Sequence, residues 1–377
     1  MEGQYGKTPK PKKKRQGKRN RLIFWLLVFV LCITVMIVCF KISNNYVMRN
    51  YLEASQNSNI VIDDKDAVEF IVERGANTSK IAKALYDKGL IKNEKIFKLL
   101  SKINGFDGTY KSGTHIISSK LTYDEMMRAL SNPAATAKIT IPEGRTFTQI
   151  ADLLFAKGFI KDKQKFIQVA NTGDFDYDFI KEIPKRDNRL EGYLFPDTYE
   201  FDLNASEETI INKMLSNFNN KFKTSYREKI SKLGEDMTLD KVVILASMIE
   251  REAKEADDRY LVSGVMYNRL RSKDATLRKL QIDATVQYAL LKTTGAYKER
   301  LLYEDLEIND PYNTYINEGL PPGPICCPGE ASIKAALNPD TEDGYLYYVA
   351  TGDENGTHAF ARTFAQHQAN KKKYASK

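Results

Sequence analysis

Residues 22–40 form an apolar run in which Thr34 is the only clearly polar side chain. As a helix rising roughly 1.5 Å per residue it would reach about 28 Å, close to the hydrocarbon thickness of a bilayer. A transmembrane helix is therefore predicted over 22–40, followed by a polar, charged linker over 41–65. Beyond residue 65 short β-like runs alternate with amphipathic helices, and the pattern repeats with a 69-residue period. Gly75, Ile81, Ala82, Leu85, Gly89, Ile91 and Phe97 recur as Gly144, Ile150, Ala151, Leu154, Gly158, Ile160 and Phe166, every offset kept. Each copy predicts a strand (around residues 70–72 and 139–141), a glycine turn, and a helix stopped by Gly89 or Gly158 in a left-handed C-terminal position. Asn93 and Asp162 are placed to cap a second helix. Between the copies, residues 110–117 look extended, and Thr122 with Glu125 makes a capping box for a helix ending near Leu130.

The strongest helical signal lies further on, where residues 242–253 are V-V-I-L-A-S-M-I-E-R-E-A. Thr238 is the predicted N-cap and Asp240 complements the dipole of the first turn. Val242, Leu245, Met248 and Ile249 supply an apolar face that runs into a carboxylate at Glu250. Burial disfavours the charged form of a carboxyl and raises its pKa, which suits a general acid working near neutral pH. The small neighbours Ala246, Ser247 and Ala253 are expected to leave room for a ligand beside it. The plainer reading makes Glu250 and Glu252 surface acids at a helix end, with Glu250 paired to Lys254. Toward the C-terminus, residues 345–350 predict a buried strand, His358 and Phe360 the start of another, and the Lys-rich end from Lys371 a frayed tail.

Charge fixes the expected topology. Nine bases and one acid precede the apolar run and account for the whole excess of +8, leaving 48 bases and 48 acids beyond it. The positive-inside rule then places the N-terminus in the cytoplasm and the rest outside a cell membrane, as a single-pass protein. A cleaved signal peptide fits less well, because the run exceeds a usual signal core and K-I-S-N-N after it lacks a small-residue cleavage site. The basic excess belongs to the tail and anionic lipid, so no nucleic-acid partner is expected. Cys32 and Cys39 fall within the span, Cys326 and Cys327 are adjacent, and His115, His358 and His367 are scattered. Neither a disulfide framework nor a metal site nor any other cofactor follows.

Taken in order, several segments carry a resemblance. They are L-E-G-Y-L-F-P-D-T-Y at 190–199, I-L-A-S-M-I-E-R-E-A at 244–253, Y-N-R-L at 267–270 and L-Q-I-D-A-T-V-Q-Y at 280–288. P-Y-N-T-Y at 311–315, G-L-P-P-G-P-I at 319–325 and S-I-K-A-A-L-N-P at 332–339 follow. Together they resemble the endolytic murein transglycosylase (YceG-like) family, and the repeated units resemble LysM-like modules, which bind glycan containing N-acetylglucosamine. The resemblance implies an α+β chain: tail 1–21, transmembrane helix 22–40, linker 41–65, a βααβ-type LysM-like module 66–133, a second LysM-like repeat 134–173, catalytic domain 174–370 and polar tail 371–377. It also implies a membrane-anchored lytic enzyme that cuts nascent peptidoglycan strands internally, with Glu250 as the catalytic acid and peptidoglycan synthases as partners.

Lytic chemistry needs one carboxylate, because the sugar's own C6 hydroxyl attacks the anomeric carbon and no water is added. Glu191, Gln281, Asp283, Asn313 and Tyr315 are candidate substrate-binding residues, each a polar member of a matched motif. The local alternatives are that Asn313 closes a turn after Pro311 and that Asp283 caps a helix beginning near Ala284. Pro321, Pro322 and Pro324 are expected to stiffen one cleft wall, while Arg269 and Lys334 are expected in surface ion pairs. Departures from the family pattern are a long 271–279 connection, Ala284 where proline is common, and Cys326 and Cys327 in place of small residues. Two other functions remain open on sequence: a hydrolase pairing Glu250 with a second acid such as Asp283, and a non-catalytic glycan-binding scaffold.

Overall fold

No glycine or proline interrupts residues 18–55, so nothing in the chain stops a helix at a bilayer edge. The computed structural model describes residues 6, 16–55, 66–222 and 224–374. In it the apolar run is part of one long helix, α1 (Gln16–Ser55), whose stretch Ile23–Ser43 is long and apolar enough to cross a membrane. The first part of the expected linker is therefore helical. The rest of that linker (56–65), most of the basic tail and residues 375–377 lie outside the described residues.

The chain divides into two units at Pro133/Ala134. After α1 the first contains β1 (Val68–Val72), α2 (Thr78–Asp87), α3 (Glu94–Ile103), β2 (Gly113–Ile117) and α4 (Tyr123–Ser131). β1 and β2 pair antiparallel with Phe70 opposite His115, which gives the expected βααβ order. The local signals are realised. Asn93 accepts from the N–H groups of Lys95 and Ile96, Thr122 and Glu125 form the capping box, and Gly89 takes φ +69°. Phe70, Leu85, Phe97, Met126 and Leu130 form this unit's own core.

The second unit opens with the other copy: β3 (Thr136–Thr140), α5 (Phe147–Ala156), α6 (Lys163–Thr172) and a short α7 (Asp178–Glu182). Its closing strand, β4 (Thr198–Asp202), comes after residue 173, and Ile139 of β3 faces Tyr199 of β4. Phe147, Ile150 and Phe166 of this copy share one core with Tyr193, Phe201, Phe218 and the apolar residues at 242–249. The second copy is thus built into the larger unit and does not stand beside it as a separate module. α8 (Glu207–Lys221), α9 (Thr224–Leu233), α10 (Leu239–Glu252), α11 (Ala256–Leu270), α12 (Ala275–Arg278), α13 (Asp283–Thr294) and α14 (Glu330–Leu337) follow. The hairpin β5 (Tyr347–Ala350) and β6 (His358–Ala361) and a last helix, α15 (Phe364–Tyr374), end the described chain.

α10 starts where expected, with the Thr238 side chain accepting from Lys241 N–H. All residues from Val242 to Ile249 are buried, because the segment is apolar or small on every face and the helix is enclosed by α11, α13 and α14. Each buried Val, Leu, Ile or Met there contributes about 1.5–3 kcal/mol of transfer free energy. Two C-terminal expectations are corrected. β5 is half-buried, not buried, since residues Tyr347 to Ala350 line a cavity. Residues 371–374 continue helix α15, whose His367 ring stacks on Tyr347.

Candidate active site

Glu250 ends the buried stretch of α10 and is itself half-exposed. Its Oε2 accepts the N–H of Gly329 at 3.0 Å, and Gly329 is the N-cap of α14. A carboxylate at a helix N-terminus meets an unsatisfied donor and the positive end of the dipole. The room expected beside Glu250 is filled by the proline-rich loop. Ser247 Oγ accepts from Ile325 N–H at 3.0 Å, and Cys326 Sγ donates to the Ser247 carbonyl at 3.3 Å. Small side chains on α10 therefore admit backbone, and that backbone carries the donor which holds Glu250.

A second carboxyl shares the position. A Cβ built on Gly329 would fall 1.9 Å from Glu143 Oε1, so that carboxyl occupies the space over the glycine. One built on Gly144 would lie 3.8 Å from Glu250 Cγ. Burial and then the charge of Glu250 raise the pKa of Glu143, against Arg259, which lowers it. Glu143 is fixed by the turn around it: Gly144 takes φ +73°, its N–H donates to the Cys327 carbonyl, and Cys327 N–H donates to the Arg145 carbonyl. The sequence reasoning missed this residue. The repeat contained the signal, since Glu143 stands where the first copy has Arg74, just before the shared turn glycine.

Arg251, which follows Glu250 in the chain, lines two cavities, and Glu143 lines the smaller of them. The smaller, about 470 Å³, is bounded by Glu143, Gly144, Gln149, Gln287, Tyr297 and Ile325 among others. Across it Arg251 donates to the Tyr297 hydroxyl, which donates to Gln287 Oε1 at 2.9 Å. The larger, about 630 Å³, contains Glu252, Gln281, Asp283, Tyr315 and Tyr348. There the Tyr315 hydroxyl donates to Asp283 and the Tyr348 hydroxyl to Glu252 at 2.9 Å. Burial pushes Glu252 up to about 7, with a further upward push from Asp283.

Of the five residues expected to hold substrate, Gln281, Asp283 and Tyr315 come together in this larger cavity. Gln281 adopts φ +55°, and Asp283 is the first residue of α13, bonded to Tyr315 without capping the helix. Asn313 lies behind them, fully buried. Its Nδ2 donates to the carbonyls of Leu306 and Ile308, and its Oδ1 accepts from Tyr315 N–H, so it sets the turn that aims Tyr315. Glu191 is 1% exposed. It accepts from Phe147 N–H at 2.8 Å and the Tyr288 hydroxyl at 3.0 Å, tying α5 to α13, and burial pushes it up to about 7. Arg269 is buried and donates to the carbonyls of Leu277 and Lys279, organising the long 271–279 connection instead of making a surface pair. Lys334 pairs with Glu330 at 2.9 Å, as expected. The proline loop walls the smaller cavity only through Ile325; Pro321 and Pro322 face a separate cavity at the other end of α10.

Comparison with known proteins agrees with the ordered motifs. The YceG-like family matches residues 70–373. An endolytic murein transglycosylase of Bacillus subtilis is 37% identical over 327 residues, covering 83% of this chain and 86% of the relative. One of Streptococcus pneumoniae is 28% identical over 352 residues, covering 86% of this chain, which spans 60% of that longer relative. The crystal structure of a YceG-like protein from Listeria monocytogenes superposes with a TM-score of 0.54 at 34% identity, covering 81% of this chain and 99% of the other. With a match across most of its length, the chain belongs to the YceG-like family.

Proposed function

We propose that the protein is a membrane-anchored endolytic lytic transglycosylase that cuts the bond between N-acetylmuramic acid and N-acetylglucosamine in nascent peptidoglycan and so ends strand elongation. The observation that carries this reading is the partly exposed Glu250, held through one oxygen by Gly329 N–H; its chain neighbour Arg251 lines two cavities and its partner Glu143 lines one of them. Two cavities that share Arg251 suit a strand entering and leaving the site, which internal cutting requires. The relatives named endolytic murein transglycosylase support the substrate class.

Glu250 protonates the glycosidic oxygen, which leaves with N-acetylglucosamine as the bond to the muramoyl C1 breaks. The C6 hydroxyl of the same muramoyl residue bonds to C1, and the Glu250 carboxylate takes its proton, regenerating the acid. Holding the ring so that C6 oxygen reaches C1 supplies much of the rate, and Gln281, Asp283 and Tyr315 do that holding. Helix α1 anchors the enzyme once in the cell membrane, with its basic N-terminus in the cytoplasm and the site outside. Peptidoglycan synthases are the expected partners, and the first repeated unit is proposed to contact glycan as a LysM-like module.

Glu143 favours one second reading, a hydrolase in which a carboxyl pair adds water, in place of the Asp283 partner weighed from sequence. Mass spectrometry of products from uncrosslinked strands in 18O-water separates the two. The lytic reading expects 1,6-anhydromuramoyl ends from the wild type and none from Glu250→Gln. Open-ring ends carrying 18O from the wild type, or undiminished anhydro product from the variant, would overturn it.

A further inference from the structure

Phe97 and Ser101 point α3 into the core of the first unit, yet its outer face is apolar. Ile96, Leu99 and Ile103 are 47%, 59% and 48% exposed. At 100° per residue these three fall within about 60° of one another on the helix, and Lys95 and Lys102 flank them on one side. Scattered surface leucines need no explanation, but three on one helical stripe bordered by lysines do.

The internal repeat supplies the comparison. α6 is the same helix in the second copy, with Phe166 buried where α3 has Phe97. At the positions of Ile96, Leu99 and Ile103 it carries Lys165, Gln168 and Thr172, which are also exposed. Folding of the helix–turn–helix therefore does not need apolar residues there. The first copy alone carries them, and it is the copy that follows α1 in the chain. Only residues 56–65 separate the end of α1 from Asp66, so the first unit is tethered within about 35 Å of that helix end.

We propose that the outer face of α3 docks on the surface of the anionic bilayer that holds α1. Ile96, Leu99 and Ile103 enter the headgroup boundary while the lysine ammonium groups reach back to lipid phosphates. The occupant is lipid and not protein because the basic flank complements an anionic surface and the anchor keeps that surface within reach. The inference rests on the reading of α1 as a membrane helix.

The test uses the full chain in nanodiscs made with brominated phospholipids, which quench tryptophan on contact. Trp25 is the chain's only tryptophan and reports insertion of α1; if it is not quenched, the anchor reading fails by itself. In a Trp25→Phe background, Leu99→Trp is expected to be quenched in phosphatidylglycerol discs, and Gln168→Trp, at the matching repeat position, is not. Adding Lys95→Glu and Lys102→Glu, both exposed, should remove most of the quenching at position 99. Quenching at 99 no stronger than at 168, or equal in purely zwitterionic discs, overturns the proposal. So does a blue-shifted but unquenched signal at 99, which would place a protein surface there.

Discussion

Two carboxyls against one glycine define the chemistry at the scale of single residues. A carboxyl that is buried beside a second negative charge keeps its proton to higher pH than an isolated one would. Glu143 shows the effect, raised by burial and by Glu250. Replacing Glu143 with glutamine keeps its size and leaves a side chain that is neutral at every pH beside Glu250. The wild type's kcat/KM for glycan cleavage is therefore expected to fall as pH rises through the raised pKa of Glu143, and Glu143→Gln is expected to lack that fall. Glu250→Gln should be inactive at every pH; superimposable profiles for the wild type and Glu143→Gln would remove Glu143 from the mechanism. The site was only half legible beforehand. Glu250, Gln281, Asp283 and Tyr315 stand in ordered motifs, and three of them do share a cavity. Glu191 and Asn313 also stand in matched motifs, but the motifs do not tell that both are buried anchors, Glu191 on Phe147 N–H and Asn313 on the Leu306 carbonyl, and Glu143 was marked only by its difference from Arg74 in the repeat.

At the scale of elements, what could be read was what is local. The caps at Asn93, Thr122 and Thr238 and the left-handed turns at Gly89 and Gly158 involve residues within one helical turn, and all are found. The pairing of β3 with β4 spans about sixty residues, and nothing in either strand names its partner. α10 shows a related limit: a one-sided apolar stripe was expected, but small residues on the remaining face let the proline loop close over it. That loop is locked by Gly192, which sits at φ +89° with an added Cβ only 2.6 Å from Pro324 and 2.8 Å from Val243. Gly192→Ala combines a left-handed backbone penalty of about 1–2 kcal/mol with overpacking of about 1–3 kcal/mol. Urea unfolding is expected to show a loss of roughly 2–5 kcal/mol, and a change below about 0.5 kcal/mol would mean that the loop is not locked there.

For the whole molecule, the two repeat copies have different fates. The first has its own core, whereas the second contributes Phe147, Ile150 and Phe166 to the core that surrounds α10 and carries Glu143 to the site. A catalytic fragment must then begin at the division after Pro133, not at the end of the repeat near residue 173. The fragment 134–377 retains β3 as the partner of β4 and Phe147 N–H as the donor to Glu191. Without them, β4 becomes an unpaired edge, and Tyr199 and Phe201, now buried, lose the layer above them. Glu191 would also keep its buried carboxyl with a donor missing, at a cost of about 1–3 kcal/mol. Expressed separately, 134–377 should unfold in one cooperative transition and cleave uncrosslinked glycan strands in solution, while 174–377 should aggregate or lack that transition and be inactive. A folded 174–377 as active as the longer fragment would show that the second copy is an appendage after all, and that Glu143 takes no part in the cut.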